Sequence, residues 1–144
     1  MFAVYPAIFY KFKNNDGYMV YFKDLEEGAT EGKNLEDSYF MASDYIASWI
    51  YDDYVNNKKI PTSSNLSDLN INDCQYIFED EVDLSNSFIT LVGVDMDEYI
   101  KKNSKKSVKK TVTIPSYLNE LGISKGINFS KLLTYALEKE LELV

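Results

Sequence analysis

The segment Lys109-Lys-Thr-Val-Thr-Ile-Pro115 predicts how the last part of the chain folds. Its polarity alternates from residue to residue, which predicts a β-strand with Val112 and Ile114 on one face. The other face carries the polar residues Lys109, Thr111 and Thr113. Proline at position 115 stops a strand and suits the first turn of a helix, so we expect a helix to follow directly.

Two helices are predicted after this strand. The first has Leu118 on its inner side, and Gly122 and Gly126 weaken and end it. Asn128 can cap the second helix. The apolar residues of the second helix fall on one stripe, namely Phe129, Leu132, Leu133, Ala136, Leu137 and Leu141. The tail, residues 108–144, is therefore predicted to fold as strand–helix–helix.

A segment of this size needs a partner. It is too small to bury enough apolar surface alone, and its single strand has no sequential neighbour with which to pair. Pairing with a second copy solves both problems, because two strands then form an antiparallel ribbon and four helices enclose a shared core. The predicted core residues are Val112, Ile114, Leu118, Leu132, Leu133 and Leu137. We therefore expect a homodimer, and pairing of dimers into tetramers stays open.

A two-stranded ribbon fits the major groove of double-stranded DNA. The side chains that would then face base edges are Lys109, Thr111 and Thr113. The start of the second helix has free backbone N–H groups, which suit a phosphate. The residues predicted to contact phosphate are Lys110, Asn128 and Ser130. The tail is thus predicted to bind double-stranded DNA.

Over residues 108–143 the tail resembles a ribbon-helix-helix DNA-binding domain of the kind found in bacterial repressors. The resemblance is carried by the strand KKTVTIP, the proline at the helix start and the segment INFSKLL at the entry to the second helix. It implies base contacts from Lys109, Thr111 and Thr113, and phosphate contacts from Asn128 and Ser130.

Charge changes sign near the start of this tail. Residues 1–100 carry 6 lysines and 19 acidic residues, a formal charge of −13, whereas residues 101–144 carry 9 lysines and 4 glutamates, a formal charge of +5. The asymmetry predicts two modules that face partners of opposite sign. Between them we expect a lysine-rich linker at residues 101–107, close enough to DNA to meet its phosphates.

Composition excludes several classes of protein. No run of 18 apolar residues exists, so no membrane-spanning helix is expected, and the N-terminus lacks the features of a signal peptide. The single cysteine, Cys74, permits no internal disulfide and fits a reducing cytoplasm. Histidine is missing, and with it the commonest general base and metal ligand. We expect a cytoplasmic protein without a metal, a cofactor or catalytic residues.

The first hundred residues predict an α+β layer structure of order β-β-β-α-β with a final helix. Strands are expected at residues 3–12, 18–22, 28–32 and 87–94, and helices at residues 35–56 and 96–102. Asn34 suits the N-cap of the long helix. The predicted apolar face of that helix comprises Leu35, Tyr39, Ala42, Tyr45, Ile46, Trp49 and Ile50. Residues 66–86 follow no clear pattern, although residues 74–78 could form a short strand.

This module resembles a HicB-type antitoxin domain. The residues that carry the resemblance are Tyr5-Pro-Ala-Ile-Phe9, Asp16-Gly-Tyr18, Phe22-Lys-Asp-Leu25, Thr30-Glu-Gly32, Leu35-Glu36 and Ile60-Pro61. The resemblance implies a partial ribonuclease-H-like fold over residues 1–100 that sequesters a HicA-type toxin, a small mRNA-cleaving protein of double-stranded-RNA-binding type. It also implies repression of the operon that encodes both. The toxin contacts lie within residues 1–100 and are not assigned to individual side chains.

Electrostatics agree with this reading, because a toxin that grips RNA should be basic and an acidic module suits it. Two other classes stay open. One is a ribbon-helix-helix repressor whose first module senses a small ligand and has no toxin partner. The other is a vestigial nuclease, since clustered carboxylates can bind metal ions. The clusters are Asp24/Glu26/Glu27, Asp52/Asp53, Glu79/Asp80/Glu81/Asp83 and Asp95/Asp97/Glu98. Solvated acidic faces explain them more simply.

Overall fold

The computed structural model describes residues 1–77 and 79–143. Phe78, at the end of the predicted strand at 74–78, and Val144, at the end of the predicted tail, lie outside the described residues. The chain divides into two compact units, Met1–Lys105 and Lys106–Val144. The first unit contains a β-sheet and two α-helices, and the second contains two further α-helices.

The first unit is built on a four-stranded antiparallel sheet. Its strands are β1 (Phe2–Phe12), β2 (Tyr18–Phe22), β3 (Gly28–Gly32) and β4 (Val82–Asp95). Their spatial order is β3-β2-β1-β4, so β3 and β4 form the two edges. Helix α1 (Leu35–Val55) lies between β3 and β4 in sequence, and helix α2 (Met96–Asn103) follows β4 directly. The predicted mixture of helices and strands, in the order β-β-β-α-β-α, is confirmed.

Helix α1 covers one face of the sheet. Because side chains alternate along a strand, Tyr5 and Phe9 of β1 point to the same face and pack with Ile46 and Ile50 of α1 in one buried cluster. Asn34 caps the helix as predicted, since its Oδ1 accepts a hydrogen bond from the backbone N–H three residues later at 2.8 Å. Burial of this apolar face holds the helix on the sheet.

Two residues of the predicted apolar face of α1 are exposed. Leu35 and Tyr39 are exposed, and so is Phe40, an apolar residue outside the predicted stripe. The stripe prediction is therefore wrong for the first turns of the helix. Helical periodicity shows which residues share a face, but how far the sheet extends beneath that face depends on the strand pairing.

The opposite face of the sheet is covered by residues 66–77, the segment without a clear sequence pattern. Ile8, Tyr10 and Tyr21 of the sheet form a second buried cluster with Leu69 and Cys74 of this segment. It contains a short 3-10 helix, Leu66–Asp68, and is otherwise made of turns and irregular backbone. The sheet is thus buried on both faces over part of its area.

Tyrosine hydroxyls fasten this covering segment to the sheet. The Tyr10 hydroxyl donates to the carbonyl oxygen of Ile71 at 2.7 Å and accepts from the backbone N–H of Cys74 at 3.4 Å. The Tyr76 hydroxyl donates to the carbonyl oxygen of Glu27 at 2.6 Å. Residues 74–77 therefore form no strand, and this part of the predicted strand is wrong. The Cys74 N–H donates to the Tyr10 side chain rather than to the backbone of a neighbouring strand.

Strand β4 begins five residues earlier than predicted, at Val82 rather than at position 87. Its extra length pairs with the end of β1, where Phe12 lies opposite Val82. The register shifts between Phe9 and Lys11, so the pairing passes through a bulge. A bulge breaks the alternation of side chains, and this is why the period-two pattern did not extend back to Val82.

The second unit contains helix α3 (Ser116–Ser124) and helix α4 (Phe129–Glu140), close to the two predicted helices. Residues 109–114 belong to no helix or strand in the single chain. The predicted strand is therefore absent from the isolated protomer, since no strand of the described chain lies beside it. A β-strand is defined by its hydrogen-bonded neighbour, which in the prediction is a second copy.

Gly122 in α3 and Gly126 in the turn after it each have a structural role. A side chain at Gly122 would collide with the ring of Phe129, so this glycine lets α3 and α4 approach closely. Gly126 has a φ of +67°, a left-handed conformation that ends the helix at low cost. Asn128 caps α4 as predicted, its Oδ1 accepting from the Lys131 N–H at 3.0 Å.

Among the helices that the structure describes, none combines the length and the hydropathy that crossing a bilayer would need.

Candidate functional site

Along residues 109–114 the side chains still alternate between two sides in the single chain, although this segment is not paired as a strand. Lys110, Val112 and Ile114 line one groove together with Phe129 and Leu133 of α4. The three residues predicted to read bases do not line it, and all three are exposed, namely Lys109, Thr111 and Thr113. The backbone therefore separates an apolar side from a polar side here.

Lys110 lies on the apolar side of this segment. It was predicted to contact phosphate, yet it lines the groove together with Val112 and Ile114. The side chain is exposed, so its long stem can cover apolar surface while its ammonium group reaches water or an anion.

Residues 106–143 of the second unit form no hydrophobic core of their own. Among residues 106–143 only Gly122 is buried. The predicted dimer-core side chains are between 37% and 55% exposed, namely Val112, Ile114, Leu118, Leu132, Leu133 and Leu137. The groove is lined by Val112, Ile114, Leu132 and Leu133, whereas Leu118 and Leu137 do not line it. An apolar surface of this extent on so small a unit marks an interaction site.

The N-terminus of α4 retains part of its anion-binding capacity. The Asn128 side chain satisfies the N–H of Lys131, and the Leu132 N–H bonds to the Asn128 carbonyl. The first N–H groups of the helix, those of Phe129 and Ser130, have no partner within a regular helix. A phosphate at this end would be held by these groups rather than by the Asn128 side chain, which already caps the helix.

The first unit carries an exposed cleft where the end of β4 meets α1 and α2. Its aromatic residues are Phe2, Phe40 and Tyr99, and its carboxylates are Asp44, Asp95 and Glu98. We call it the aromatic–acidic cleft. Sequence reasoning did not assign it, although Phe40 gave a signal, since it is an apolar residue away from the buried stripe of its helix.

Neighbouring contacts fix the geometry of this cleft. Phe2 lies opposite Asp95 in the sheet, and its ring lies over Gly93, where any side chain would collide with it. Helix α1 is held to β4 because the Ser43 hydroxyl donates to the Gly93 carbonyl at 2.8 Å. Phe40, three residues earlier on α1, is therefore positioned against the end of β4.

Two carboxylates of the first unit hold parts of its fold together. Asp24 accepts from the Ser64 backbone N–H at 2.9 Å and from its hydroxyl at 2.5 Å, which anchors the loop before the 3-10 helix. Asp97 binds the N-terminal ammonium group at 2.7 Å and the Tyr54 hydroxyl at 2.7 Å. These two hydrogen bonds lower the pKa of Asp97, and that of Tyr54 is raised to about 12, chiefly by the same bond.

Within residues 1–77 and 79–143, no group of three or more histidine, cysteine, aspartate or glutamate side chains could hold a metal ion. The acidic clusters that prompted the nuclease alternative therefore do not converge on a common centre in the described chain. Cys74 is buried with a free thiol.

Comparison with known proteins defines the class. A family model described as HicB_like antitoxin of bacterial toxin-antitoxin system matches residues 4–72. The chain is similar to a chain of a toxin–antitoxin complex from Streptococcus pneumoniae, with 31% identity over 97% of this chain and 99% of that one, and a TM-score of 0.61. A second similar structure, the antitoxin HicB of Burkholderia pseudomallei, has 17% identity over 96% of each chain and a TM-score of 0.47. No curated protein sequence matches.

The protein is thus an antitoxin of a bacterial toxin–antitoxin system. More specifically, the chain belongs to the HicB-like antitoxin family.

Proposed function

We propose that this antitoxin binds and neutralises a HicA-type mRNA-cleaving toxin and, as a dimer, represses its own operon by binding operator DNA. The observation that carries the proposal is the likeness to a chain of a toxin–antitoxin complex, which extends over 97% of this chain. It includes the tail as well as the residues matched by the family model. We propose residues 1–100 as the toxin-binding domain of partial ribonuclease-H-like fold, residues 101–107 as the linker and residues 108–144 as a ribbon-helix-helix domain.

Charge supports the toxin-binding role of the first domain. A protein that cleaves mRNA must hold a polyanion, so its substrate-binding surface is basic. The formal charge of −13 on residues 1–100 attracts such a surface and opposes the approach of RNA to it. An antitoxin that covers this surface prevents cleavage without any chemistry of its own.

Exposed apolar surface supports the dimer and DNA-binding role of the tail. Val112, Ile114 and Leu133 share one groove and are all partly exposed, so a second copy placed against it would bury them. The same contact would pair residues 109–114 of the two chains. Lys109, Thr111 and Thr113 would then lie on the outer face of the ribbon, where they contact base edges.

A pull-down from the native host tests the proposal. The tagged full-length protein is retained, and the intact mass of every retained protein is measured. We expect a small basic protein in stoichiometric amount, encoded beside the gene for this chain. A tagged fragment of residues 1–105, which contains the whole sheet and both buried clusters, should retain the same protein.

Recovery of a dimer with no protein partner would contradict the toxin-binding part of the proposal. It would leave the DNA-binding tail in place and favour a repressor whose first domain senses a small ligand. Capture by the full-length chain alone would contradict the assignment of toxin binding to the first domain.

A further inference from the structure

We propose that the toxin docks in the aromatic–acidic cleft of the first unit. An apolar side chain of the toxin lies between Phe2 and Phe40, and lysine or arginine side chains contact Asp44 and Glu98. The inference rests on the proposed toxin-binding function and assigns the surface that performs it.

The aromatic residues give the first argument. Phe2 is 65% and Phe40 66% exposed, the highest values among the large apolar side chains of Met1–Lys105 that the structure describes. The fold gains little from either side chain in this state, and exposed aromatic residues are typical of protein interfaces. Both line the same cleft although they come from different elements, β1 and α1.

The sheet edge gives the second argument. Strand β4 has 14 residues and is an edge strand, and no strand in the described chain pairs with its outer side. Long open edges promote unwanted pairing unless something covers them. Next to this edge the apolar surface continues, because Val4 and Leu91 are also exposed on the sheet face that carries Phe2.

The end of β4 is already partly protected from strand addition. The carbonyl oxygen of Gly93 accepts from the Ser43 hydroxyl at 2.8 Å, and that of Leu91 accepts from the Tyr39 hydroxyl at 3.4 Å. A partner strand would have to displace these hydroxyls to pair here. The toxin therefore contacts the side chains that flank the edge.

The negative charge of the cleft favours a basic partner. Asp44, Asp95 and Glu98 line it with a single lysine, Lys102, which already lies 3.7 Å from Glu98. A second copy of this chain would bring the same carboxylates against them, and like charges in contact oppose association. A basic toxin with an exposed apolar residue is complementary to both features.

Variants of the full-length antitoxin test the inference. The probe is the small basic protein captured in the pull-down, and its dissociation constant is measured by calorimetry. The cleft variant combines Phe40→Ser and Asp44→Lys. The control variant combines Leu66→Ser with Glu31→Lys, which changes an exposed apolar residue outside the cleft and an exposed carboxylate on β3, the opposite edge of the sheet.

We expect the cleft variant to bind the toxin at least about tenfold more weakly than the wild type, and the control variant to bind within about twofold of it. Phe40→Tyr keeps an aromatic ring in the cleft and should retain most of the affinity. Unchanged circular dichroism and melting temperature show that the cleft variant is folded.

The outcomes separate the two proposals. If the cleft variant binds the toxin as tightly as the wild type does, the proposed docking surface is wrong and the antitoxin function stands. Failure of the wild type to bind would overturn both. A change in the self-association of the cleft variant without toxin, measured by sedimentation, would overturn the inference by making the cleft a contact between copies.

Discussion

Truncation of Leu133 tests whether the exposed stripe of α4 is the core of a dimer. In the single chain Leu133 is 37% exposed, so the proposed dimer would bury about a third of its side chain beyond what folding buries. Full burial of a leucine side chain stabilises by about 1.5–3 kcal/mol, so a third of this is about 0.5–1 kcal/mol. The residue occurs once in each protomer, and Leu133→Ala should therefore weaken the dimer by about 1–2 kcal/mol, or about 5–30-fold.

Sedimentation velocity over a dilution series measures this effect through the dimer dissociation constant. The matched control is Tyr135→Ala, which shortens a side chain on the same helix that is 57% exposed and does not line the groove. The control should leave the constant unchanged. Equal constants for wild type and Leu133→Ala would refute the proposed dimer core, as would a larger effect from Tyr135→Ala.

The remaining predictions concern DNA and the first unit. Thr113→Ala or Thr111→Ala should relax operator preference by about 1–3 kcal/mol in competition binding. Neutralising a linker lysine (residues 101–107) that contacts phosphate should instead weaken binding to all DNA sequences. It should also flatten the slope of log affinity against log salt concentration by about 0.9. Identical behaviour of the threonine and lysine variants would contradict the ribbon. Tyr10→Phe leaves the Ile71 carbonyl without its donor and should lower the free energy of unfolding by about 1–3 kcal/mol in denaturant titrations. Burial raises the pKa of Tyr10 to about 12, above its usual value near 10, so its contribution to stability is complete below about pH 10 and is lost as pH rises towards 12. Tyr10→Phe should accordingly show a shallower alkaline loss of stability than the wild type, and parallel curves would count against this cause.

The elements with local signals could be predicted from the sequence. Asn34 and the apolar spacing after it predict α1, and Asn128 with its stripe predicts α4, since caps and periodicity act within a few residues. The turn between β1 and β2 likewise follows from a local cluster of asparagine, aspartate and glycine. These features do not depend on distant parts of the chain.

Features that depend on distant contacts were missed. The early start of β4 at Val82 depends on a bulge opposite β1, and the role of residues 66–77 depends on hydrogen bonds to Tyr10. Neither leaves a periodic pattern in the sequence. The predicted strand at residues 109–114 is a different case, because its pattern is strong but no described strand of the chain pairs with it.

The two candidate surfaces also differ in whether they could be predicted from the sequence. The alternating residues around Val112 could be assigned from the sequence because a strand has a fixed period of two. The aromatic–acidic cleft could not be assigned, because Phe2 and Phe40 are distant in sequence and meet only when α1 is held against β4. A lone apolar residue on the polar side of a predicted helix is the signal to follow in such cases.

An mRNA-cleavage titration tests whether this antitoxin neutralises a toxin. The small basic protein encoded beside this gene is incubated with mRNA while full-length antitoxin is added in increasing amounts, and intact RNA is measured. We expect cleavage to fall in proportion to the added antitoxin and to stop at a fixed stoichiometric ratio. Undiminished cleavage with excess folded antitoxin, or the absence of any cleavage by the neighbouring protein, would contradict this expectation.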